Sequence, residues 1–302
     1  MTTYSTTFSG QTTGANATNC TDRYTAETDV SIENPAVGEQ DDRVLKLGST
    51  DSGWIFQSFD DVDGDANRDN SEVLIKYRNT ADWTAMAEAV LRASGSSTNE
   101  TCYQAYISSS DLTIRRVNGG SAATLATLDT NGTPSPLVLS SGLASFTYEE
   151  ANEWHWVRFR ANGTGATVSL KAKWWVDGYK EPDTWTIEYD DTSASRITAA
   201  GWTGVSKRGF NGDTYVDYIG VGTNGDTAPL PTADTQAHRV TGSFAQAITG
   251  GGSETARVTS TFAQAITGGG GETARITSVY AQVLVKAAAP STSQSIQCII
   301  MT

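Results

Sequence analysis

Short runs of alternating apolar and polar residues fill the chain up to about residue 231. In 101–107 the alternation places Tyr103, Ala105 and Ile107 on one face, and 111–117 repeats it before an Asn-Gly-Gly turn. A period of two residues is typical of a half-buried β-strand, and paired turn residues with glycine join the strands of a hairpin. These segments therefore predict strands connected by tight polar turns.

The tryptophan-rich middle of the chain has the same period. In 153–160 one side carries Trp154, Trp156, Arg158 and Arg160, and the other side carries His155, Val157 and Phe159. Further strands are predicted at 168–176, 184–189 and 215–221. Residues 81–93 have the composition of a short helix but also alternate, and we favour a strand there. The pattern predicts an all-β protein.

Beyond Pro231 the chain consists of a sequence repeat with a period of 18 residues. Glycine-rich turns separate the copies. An even period keeps equivalent side chains on the same face of each strand. The equivalent positions are Arg239, Arg257 and Arg275 and, five residues further on, Phe244, Phe262 and Tyr280.

Both faces of the repeated strands carry small or apolar residues, with little charge beyond the leading arginine. Three such strands alone would expose apolar surface and free edges, which soluble monomers avoid. We therefore predict a β-sandwich in 1–231 and an assembly region in 232–302. The assembly region would bury its strands against further copies of the chain, with a trimer favoured, or against another protein. The alternative is that the repeats only extend the sandwich.

Charge and composition narrow the set of partners. The 302 residues carry 21 basic and 34 acidic side chains, a net charge of −13. A nucleic-acid partner is disfavoured because such binders need a basic stripe, and the sequence has none. No apolar run is long enough to span a membrane, and residues 1–20 lack an apolar signal core. For Cys20, Cys102 and Cys298, buried free thiols are favoured over a Cys20–Cys102 disulfide, and structural zinc is not expected.

Catalytic motifs are weak. Retaining glycosidases need two carboxylates about 5–5.5 Å apart, and the nearest acidic cluster is Glu149, Glu150 and Glu153, which we interpret as a solvated loop. His155 and His238 have no serine or cysteine nucleophile motif near them. The sequence therefore predicts a protein that is not an enzyme.

One acidic loop has the donor spacing of a calcium site. Oxygen-bearing side chains occupy loop positions 1, 3, 5, 7, 9 and 12 from residue 61. However, Ala66 stands where such loops place glycine, so an acidic turn without metal is the alternative. The candidate calcium ligands are Asp61, Asp63, Asp65, Asn67, Asp69 and Glu72.

Tryptophans provide the candidate sugar-binding residues, because aromatic rings stack on the apolar faces of sugars. Trp174 and Trp175 are adjacent, so one of them should point outward if both lie in a strand. Together with Trp185 they are the predicted sugar-binding residues. The alternative for each ring is packing in the core, where large aromatic side chains more often lie.

Several runs of residues resemble a known family. They include Trp-Val-Arg-Phe-Arg-Ala-Asn-Gly-Thr from 156, Leu-Lys-Ala-Lys-Trp-Trp-Val-Asp-Gly from 170, and Asp-Tyr-Ile-Gly-Val-Gly-Thr from 217. These runs resemble the laminin-G-like, concanavalin A-like jelly-roll domains of tailed-phage virion proteins. The repeated Arg-Val-Thr-x-x-x-Ala-Gln is similar to segments at the C-termini of phage minor tail proteins. The resemblance covers about residues 5–285.

That resemblance implies a concanavalin-like sandwich of two curved antiparallel sheets, followed by the repeated β-strand region. It also implies a structural protein on the virion exterior that is assembled in the host cytoplasm beside other virion proteins. A minor tail or fibre appendage that attaches to a host-surface glycan is the first hypothesis. A capsid decoration protein is the second, and a glycan-cleaving enzyme is the third because paired carboxylates are missing.

Overall fold

The computed structural model describes residues 2–23, 30–34, 43–48, 55–59, 68–80, 86–96, 99–108, 111–129, 154–177, 180–208, 212–231, 237–242, 248–251, 255–260, 262–263, 266–269, 273–277, 280–281 and 284–286. The chain divides into two compact units. One comprises Met1–Val37 and Asp41–Leu230, and the other comprises Gly38–Gln40 and Pro231–Thr302. Every element in the described residues is a strand, and none of these residues belongs to a helix that could cross a membrane.

In the described residues the first unit contains fifteen strands. They are β1 (Thr2–Thr6), β2 (Cys20–Asp22), β3 (Val30–Glu33), β4 (Val44–Leu47), β5 (Ile55–Phe59), β6 (Ser71–Asn79), β7 (Met86–Ser94), β8 (Thr101–Ser108), β9 (Asp111–Asn118), β10 (Ser121–Asp129), β11 (Trp154–Asn162), β12 (Val168–Val176), β13 (Ile187–Asp191), β14 (Trp202–Arg208) and β15 (Thr214–Thr223).

These strands form two antiparallel sheets. The eight-stranded sheet has the order β13-β12-β11-β6-β15-β4-β3, with β1 also paired to β15. The seven-stranded sheet has the order β10-β9-β8-β7-β14-β5-β2. The main hydrophobic core contains side chains from both sheets, including Val73, Val157 and Phe159 from the first and Ala89 and Tyr103 from the second. The predicted all-β sandwich is confirmed.

The alternation in the sequence corresponds to the two faces of each strand. Tyr103, Ala105 and Ile107 all belong to the core, as predicted. β9 and β10 form a hairpin through Gly119 and Gly120, whose φ values of 58° and 78° are rare for residues with a Cβ atom. The strand prediction for 81–93 is confirmed over its described part, because β7 begins at residue 86.

The remaining local predictions concern one strand and the three cysteines. The strand predicted at 184–189 begins later, since β13 covers Ile187–Asp191. Cys20 and Cys102 are buried free thiols, as favoured by the sequence. Cys298 lies outside the described residues.

A buried arginine joins three loops at one end of the sandwich. Arg92 is 1% exposed and donates through Nη1 to the carbonyl of Ile197 at 2.5 Å and through Nη2 to the carbonyls of Asp69 and of Gly163, the latter at 2.8 Å. Burial lowers the pKa of this guanidinium. The backbone of Arg92 has a φ of 56°, and the residue lies where the pairing of β7 with β8 is interrupted, between Leu91 and Ser94. One side chain thus satisfies carbonyl groups from three separate segments.

The second unit contains short strands from the repeats. They are β16 (Ala237–Gly242), β17 (Ile248–Gly251), β18 (Thr255–Ser260), β19 (Phe262–Ala263), β20 (Ile266–Gly269), β21 (Thr273–Thr277), β22 (Tyr280–Ala281) and β23 (Leu284–Lys286). β16, β18 and β21 form one parallel sheet, β17, β20 and β23 form another, and β19 pairs with β22.

The pairing of these strands follows the repeat in register. Arg239 pairs with Arg257 and Arg257 with Arg275, while Phe262 pairs with Tyr280. The described part of each repeat contains two or three short strands, where the alternation predicted one strand per repeat.

Replacing Arg92 should destabilise the sandwich strongly. Arg92→Met leaves three carbonyl groups without their donor, and we expect it to lower the free energy of unfolding by about 3 kcal/mol or more. The measurement is urea unfolding followed by tryptophan fluorescence, which reports on the first unit because every tryptophan precedes residue 232.

Arg196→Met is the matched control. Arg196 also donates to loop carbonyls, those of Gly165 and Ser193, but it is partly exposed. Its loss should cost about 1 kcal/mol or less. Equal costs for the two variants would contradict the role assigned to Arg92.

Candidate functional site

The outer face of the eight-stranded sheet concentrates charged and aromatic side chains. In β6, β11 and β12 these residues alternate with core residues, so they point away from the interior of the sandwich. Strand register brings them together, since Trp156 is opposite Lys76 and Trp175, and Arg160 is opposite Glu72. We call this the outer face; its residues are Glu72, Leu74, Lys76, Trp154, Trp156, Arg158, Arg160, Lys173, Trp175 and Tyr218.

A buried carboxylate organises one half of the outer face. Glu72 is fully buried, and its two carboxylate oxygens accept hydrogen bonds from Arg158 and Arg160. The backbone N–H of Ala228 donates to the same carboxylate at 3.0 Å, and the Ala228 carbonyl accepts from Arg158 Nη1 at 2.7 Å. Two strands and the segment after β15 are therefore joined through one side chain.

A second carboxylate extends this network toward solvent. Glu181 lies 2.7 Å from Arg158 Nε and 2.6 Å from Lys173 Nζ, and its side chain is 20% exposed. Lys173 also donates to the carbonyl of Pro182 at 2.8 Å. The loop between β12 and β13 is thus held against the sheet by ion pairs.

The other half of the outer face is an aromatic layer. The rings of Trp156 and Trp175 are stacked with centroids 5.9 Å apart and planes 7° apart. Trp156 Nε1 donates to Asp177 at 2.8 Å, and Lys76 Nζ lies 5.2 Å from the centroid of the Trp154 ring. All three tryptophans are no more than 6% exposed, so this layer is packed rather than open to a ligand.

Trp185 lies where the charged network meets solvent. Its ring is partly exposed. The guanidinium carbon of Arg160 is 5.3 Å from the ring centroid, and Lys173 Nζ is 5.0 Å from it. Cations at this range are attracted to the negative face of the indole ring. The result is a partly exposed tryptophan with two cations fixed over its ring.

The segment after β15, which we call the exit strap (Asp226–Leu230), crosses the outer face. A Cβ atom at Gly222 would lie 2.3 Å from the Asp226 carbonyl oxygen, so only glycine permits the approach. Tyr218 donates to the Pro229 carbonyl at 2.8 Å, and burial raises the pKa of Tyr218 to about 12. Arg160 Nη2 donates to the Thr227 hydroxyl at 2.9 Å.

The three tryptophans predicted to bind sugar have different environments. Trp174 is 3% exposed and lies in the core, stacked on His155 with centroids 5.1 Å apart. Trp175 points outward, as expected for one of two neighbours in a strand, but it is only 5% exposed. Trp185 alone of the three presents part of its ring to solvent. The first two rings therefore have structural roles.

Sequence reasoning missed the polar partners of Trp185. Arg160, Lys173 and Glu181 were not among the predicted site residues. A signal did exist, because the alternation in 153–160 had already placed Arg158 and Arg160 beside two tryptophans. The approach of residues 181–185 to that face is a tertiary contact with no local signal.

The calcium prediction is only partly covered by the structure. Asp61, Asp63, Asp65 and Asn67 lie outside the described residues. The backbone carbonyl of Asp69 accepts from Arg92. Glu72 lies within β6 with both oxygens bonded to arginines, so its carboxylate already has cationic partners. Within the stretches that the structure describes, no three His, Cys, Asp or Glu side chains are grouped as a metal site would require.

A second polar network lies on the side of the seven-stranded sheet that points away from the core. Arg115 donates to Gln104 and Glu88, and Ser206 donates to the other oxygen of Glu88 at 2.6 Å. Trp202, at the start of β14, is partly exposed and has the Arg23 guanidinium 4.6 Å from its ring centroid. Trp202 is therefore a close chemical counterpart of Trp185 on the opposite sheet.

Other predicted residues are placed only in part. Glu149, Glu150, Glu153 and Phe244 lie outside the described residues. Arg239, Arg257 and Arg275 occupy one register position of a parallel sheet, and Phe262 and Tyr280 occupy another. Their predicted role in assembly stays a prediction.

Neutralising the buried carboxylate should destabilise the sandwich. Glu72→Gln removes the anion that faces Arg158 and Arg160, and breaking a buried ion pair costs about 3–5 kcal/mol. We expect a loss of about that size in urea unfolding. Glu188→Gln is the control, because its pair with Lys171 is exposed and should be worth about 1 kcal/mol or less. A Glu72→Gln variant as stable as this control would contradict the assignment.

The chain has only distant similarity to known proteins. No protein-family model and no curated protein matches the chain. A solved protein of unknown function from Shewanella oneidensis MR-1 is 13% identical, with 76% of this chain and 89% of that chain covered and a TM-score of 0.46. The carbohydrate-binding module CBM66 from Bacillus subtilis is 11% identical, with 66% and 92% covered and a TM-score of 0.40. The CBM2 module of the evolved Dit of Lactobacillus casei BL23 phage J-1 is 8% identical, with 72% and 93% covered and a TM-score of 0.34. Similarity this low transfers neither a ligand nor a role to the chain.

Proposed function

We propose that this chain is a structural protein of a tailed-phage virion whose sandwich binds a host-surface glycan through Trp185. The observation that carries the binding proposal is the partly exposed Trp185 ring with Arg160 and Lys173 beside it. A sugar presents an apolar ring face and a rim of hydroxyl groups. An exposed indole can stack on the first while fixed donors bind the second.

Preorganisation supports this assignment. Arg160 is held by Glu72 and the Thr227 hydroxyl, and Lys173 is held by Glu181 and the Pro182 carbonyl. Side chains fixed before a ligand arrives lose little conformational entropy on binding. The site is therefore suited to binding weakly interacting sugars without rearrangement.

The proposal assigns no catalytic role to the site. Glu72 and Glu181 are the carboxylates of the network beside Trp185, and each is paired with two cations. These two carboxylates are thus suited to positioning cations.

The repeats would serve assembly on the virion exterior. Their strands pair in parallel register, so in the described residues the first and last strands of each sheet have a neighbouring strand on one side only. Such edges pair readily with another chain. We propose that residues 232–302 form a homotrimer or bind another virion protein. A capsid decoration protein is the second candidate, because the same stacking would suit attachment to a shell.

Trp185→Ala should abolish glycan binding while the protein stays folded. We expect at least a ten-fold loss of affinity, measured on a glycan array and then by calorimetry with the full-length chain. Trp202→Ala is the matched control, since it removes another partly exposed, arginine-flanked ring on the opposite sheet. Equal losses in both variants would contradict the Trp185 site, and no glycan binding by the parent protein would favour the decoration role.

Thermal unfolding with and without a calcium chelator tests the loop of Asp61, Asp63, Asp65 and Asn67. We propose that this loop binds calcium through its carboxylate and amide oxygens, the ligands that calcium prefers. A chelator-dependent change in unfolding temperature would support this. Unchanged unfolding across millimolar calcium would leave an acidic turn.

The full-length chain should be a trimer. Sedimentation equilibrium at micromolar concentration should give three times the chain mass of 32.0 kDa. A variant without residues 232–302 should be a monomer. A monomeric full-length protein would contradict self-assembly and leave binding to another virion protein as the proposed role of the repeats, and a trimeric truncated variant would transfer self-assembly to the sandwich.

A further inference from the structure

The charged network beside Trp185 does not balance. Its cations are Arg158, Arg160 and Lys173, and its anions are Glu72 and Glu181. Among the described residues, the three positive and two negative charges of this network leave one positive charge in excess. The neighbouring pairs Lys171–Glu188 and Lys180–Asp183 are each neutral, and a separate group on the other half of the outer face, Lys76 with Asp177 and Asp217, carries one negative charge.

The excess charge lies in a largely dehydrated position. The side chains of Arg158, Arg160 and Lys173 are 3%, 22% and 11% exposed, and both glutamates are at most 20% exposed. Unbalanced charge is costly where water is excluded, because surrounding dipoles compensate it poorly. An anion that reached this place would therefore be strongly favoured over a neutral group.

The hydrogen-bond pattern of Arg160 shows where an anion would bind. Nε donates to Glu72 and Nη2 donates to Thr227, while none of its contacts with the described residues uses Nη1. This guanidinium also has Trp185 at 5.3 Å from its central carbon. An acceptor on a sugar stacked against Trp185 would thus meet an arginine donor with no competing partner.

We propose that the ligand is an acidic sugar, whose ring stacks on Trp185 and whose carboxylate accepts a hydrogen bond from Arg160. This inference rests on the proposed glycan-binding function and specifies its ligand. Arginine suits the task because it stays ionised and forms strong charge-assisted bonds with carboxylates. The excess positive charge of the network supplies the selectivity against neutral sugars.

Long-range electrostatic attraction to the whole protein cannot account for binding of an acidic sugar. The whole chain has a net charge of −13 and repels a polyanion at long range. Binding of an acidic sugar must therefore come from a short-range contact. Screening by salt should weaken the repulsion as well as the attraction, so affinity should change little with ionic strength.

The test uses the full-length protein and paired oligosaccharides. Oligogalacturonate, hyaluronan oligomers and sialyllactose are each compared with the same compound after reduction of its carboxylates to alcohols. We expect at least one acidic member to bind ten-fold or more tightly than its reduced partner, measured by calorimetry at two salt concentrations. Arg160→Gln should abolish that preference, because it should lower the affinity for the acidic member ten-fold or more and the affinity for the reduced partner by much less.

Lys171→Gln is the matched control, because it removes a cation from the same sheet whose charge is already paired with Glu188. It should keep the preference for the acidic member. Equal binding within every pair, or a preference that survives Arg160→Gln, would overturn the acidic-sugar inference and leave glycan binding intact. Failure of all six compounds to bind would overturn both the acidic-sugar inference and the proposed glycan-binding function.

Discussion

The carboxylate of Glu72 is the constraint on which the outer face depends. A buried anion is tolerated only with opposite charges and hydrogen-bond donors around it, and here two arginines of β11 and the N–H of Ala228 fill that need. The same bonds position Arg160 beside Trp185 and hold the exit strap on the sheet. A structural requirement of the interior thus also organises the candidate binding surface.

Much of the sandwich could be predicted from local patterns, for a physical reason. A strand packed on one side has a period of two, so the faces of β8 and β11 were readable from the order of Tyr103, Ala105 and Ile107 and of Trp156 and Val157. Two-residue turns with glycine fixed the β9–β10 hairpin in the same way. The 18-residue period likewise implied equivalent positions, which the parallel register of the repeats reproduces.

The candidate site was harder to predict because it depends on contacts distant in sequence. Glu72 has the spacing of a calcium ligand, but its neighbours in space are 86 and 88 residues away. Trp174 and Trp175 are adjacent residues of the same type, so the local sequence does not show which of them faces the core. Only the orientation of β12 in the sheet places Trp174 in the core and points Trp175 outward. The environment of Trp185 arises when its loop folds onto β11 and β12, which no periodicity encodes.

The exit strap has a mechanical consequence. It is the covalent route from the sandwich to the repeats, and Ala228 is bonded through both backbone groups to Glu72 and Arg158, which lie on adjacent central strands. Tension applied through the C-terminal region would therefore be carried first by the bond of Pro229 to β15 and then by the bonds of Ala228 to β6 and β11. Because β11, β6 and β15 are adjacent in the sheet, this load is shared by three neighbouring strands, and the strap would be strained before any strand separates.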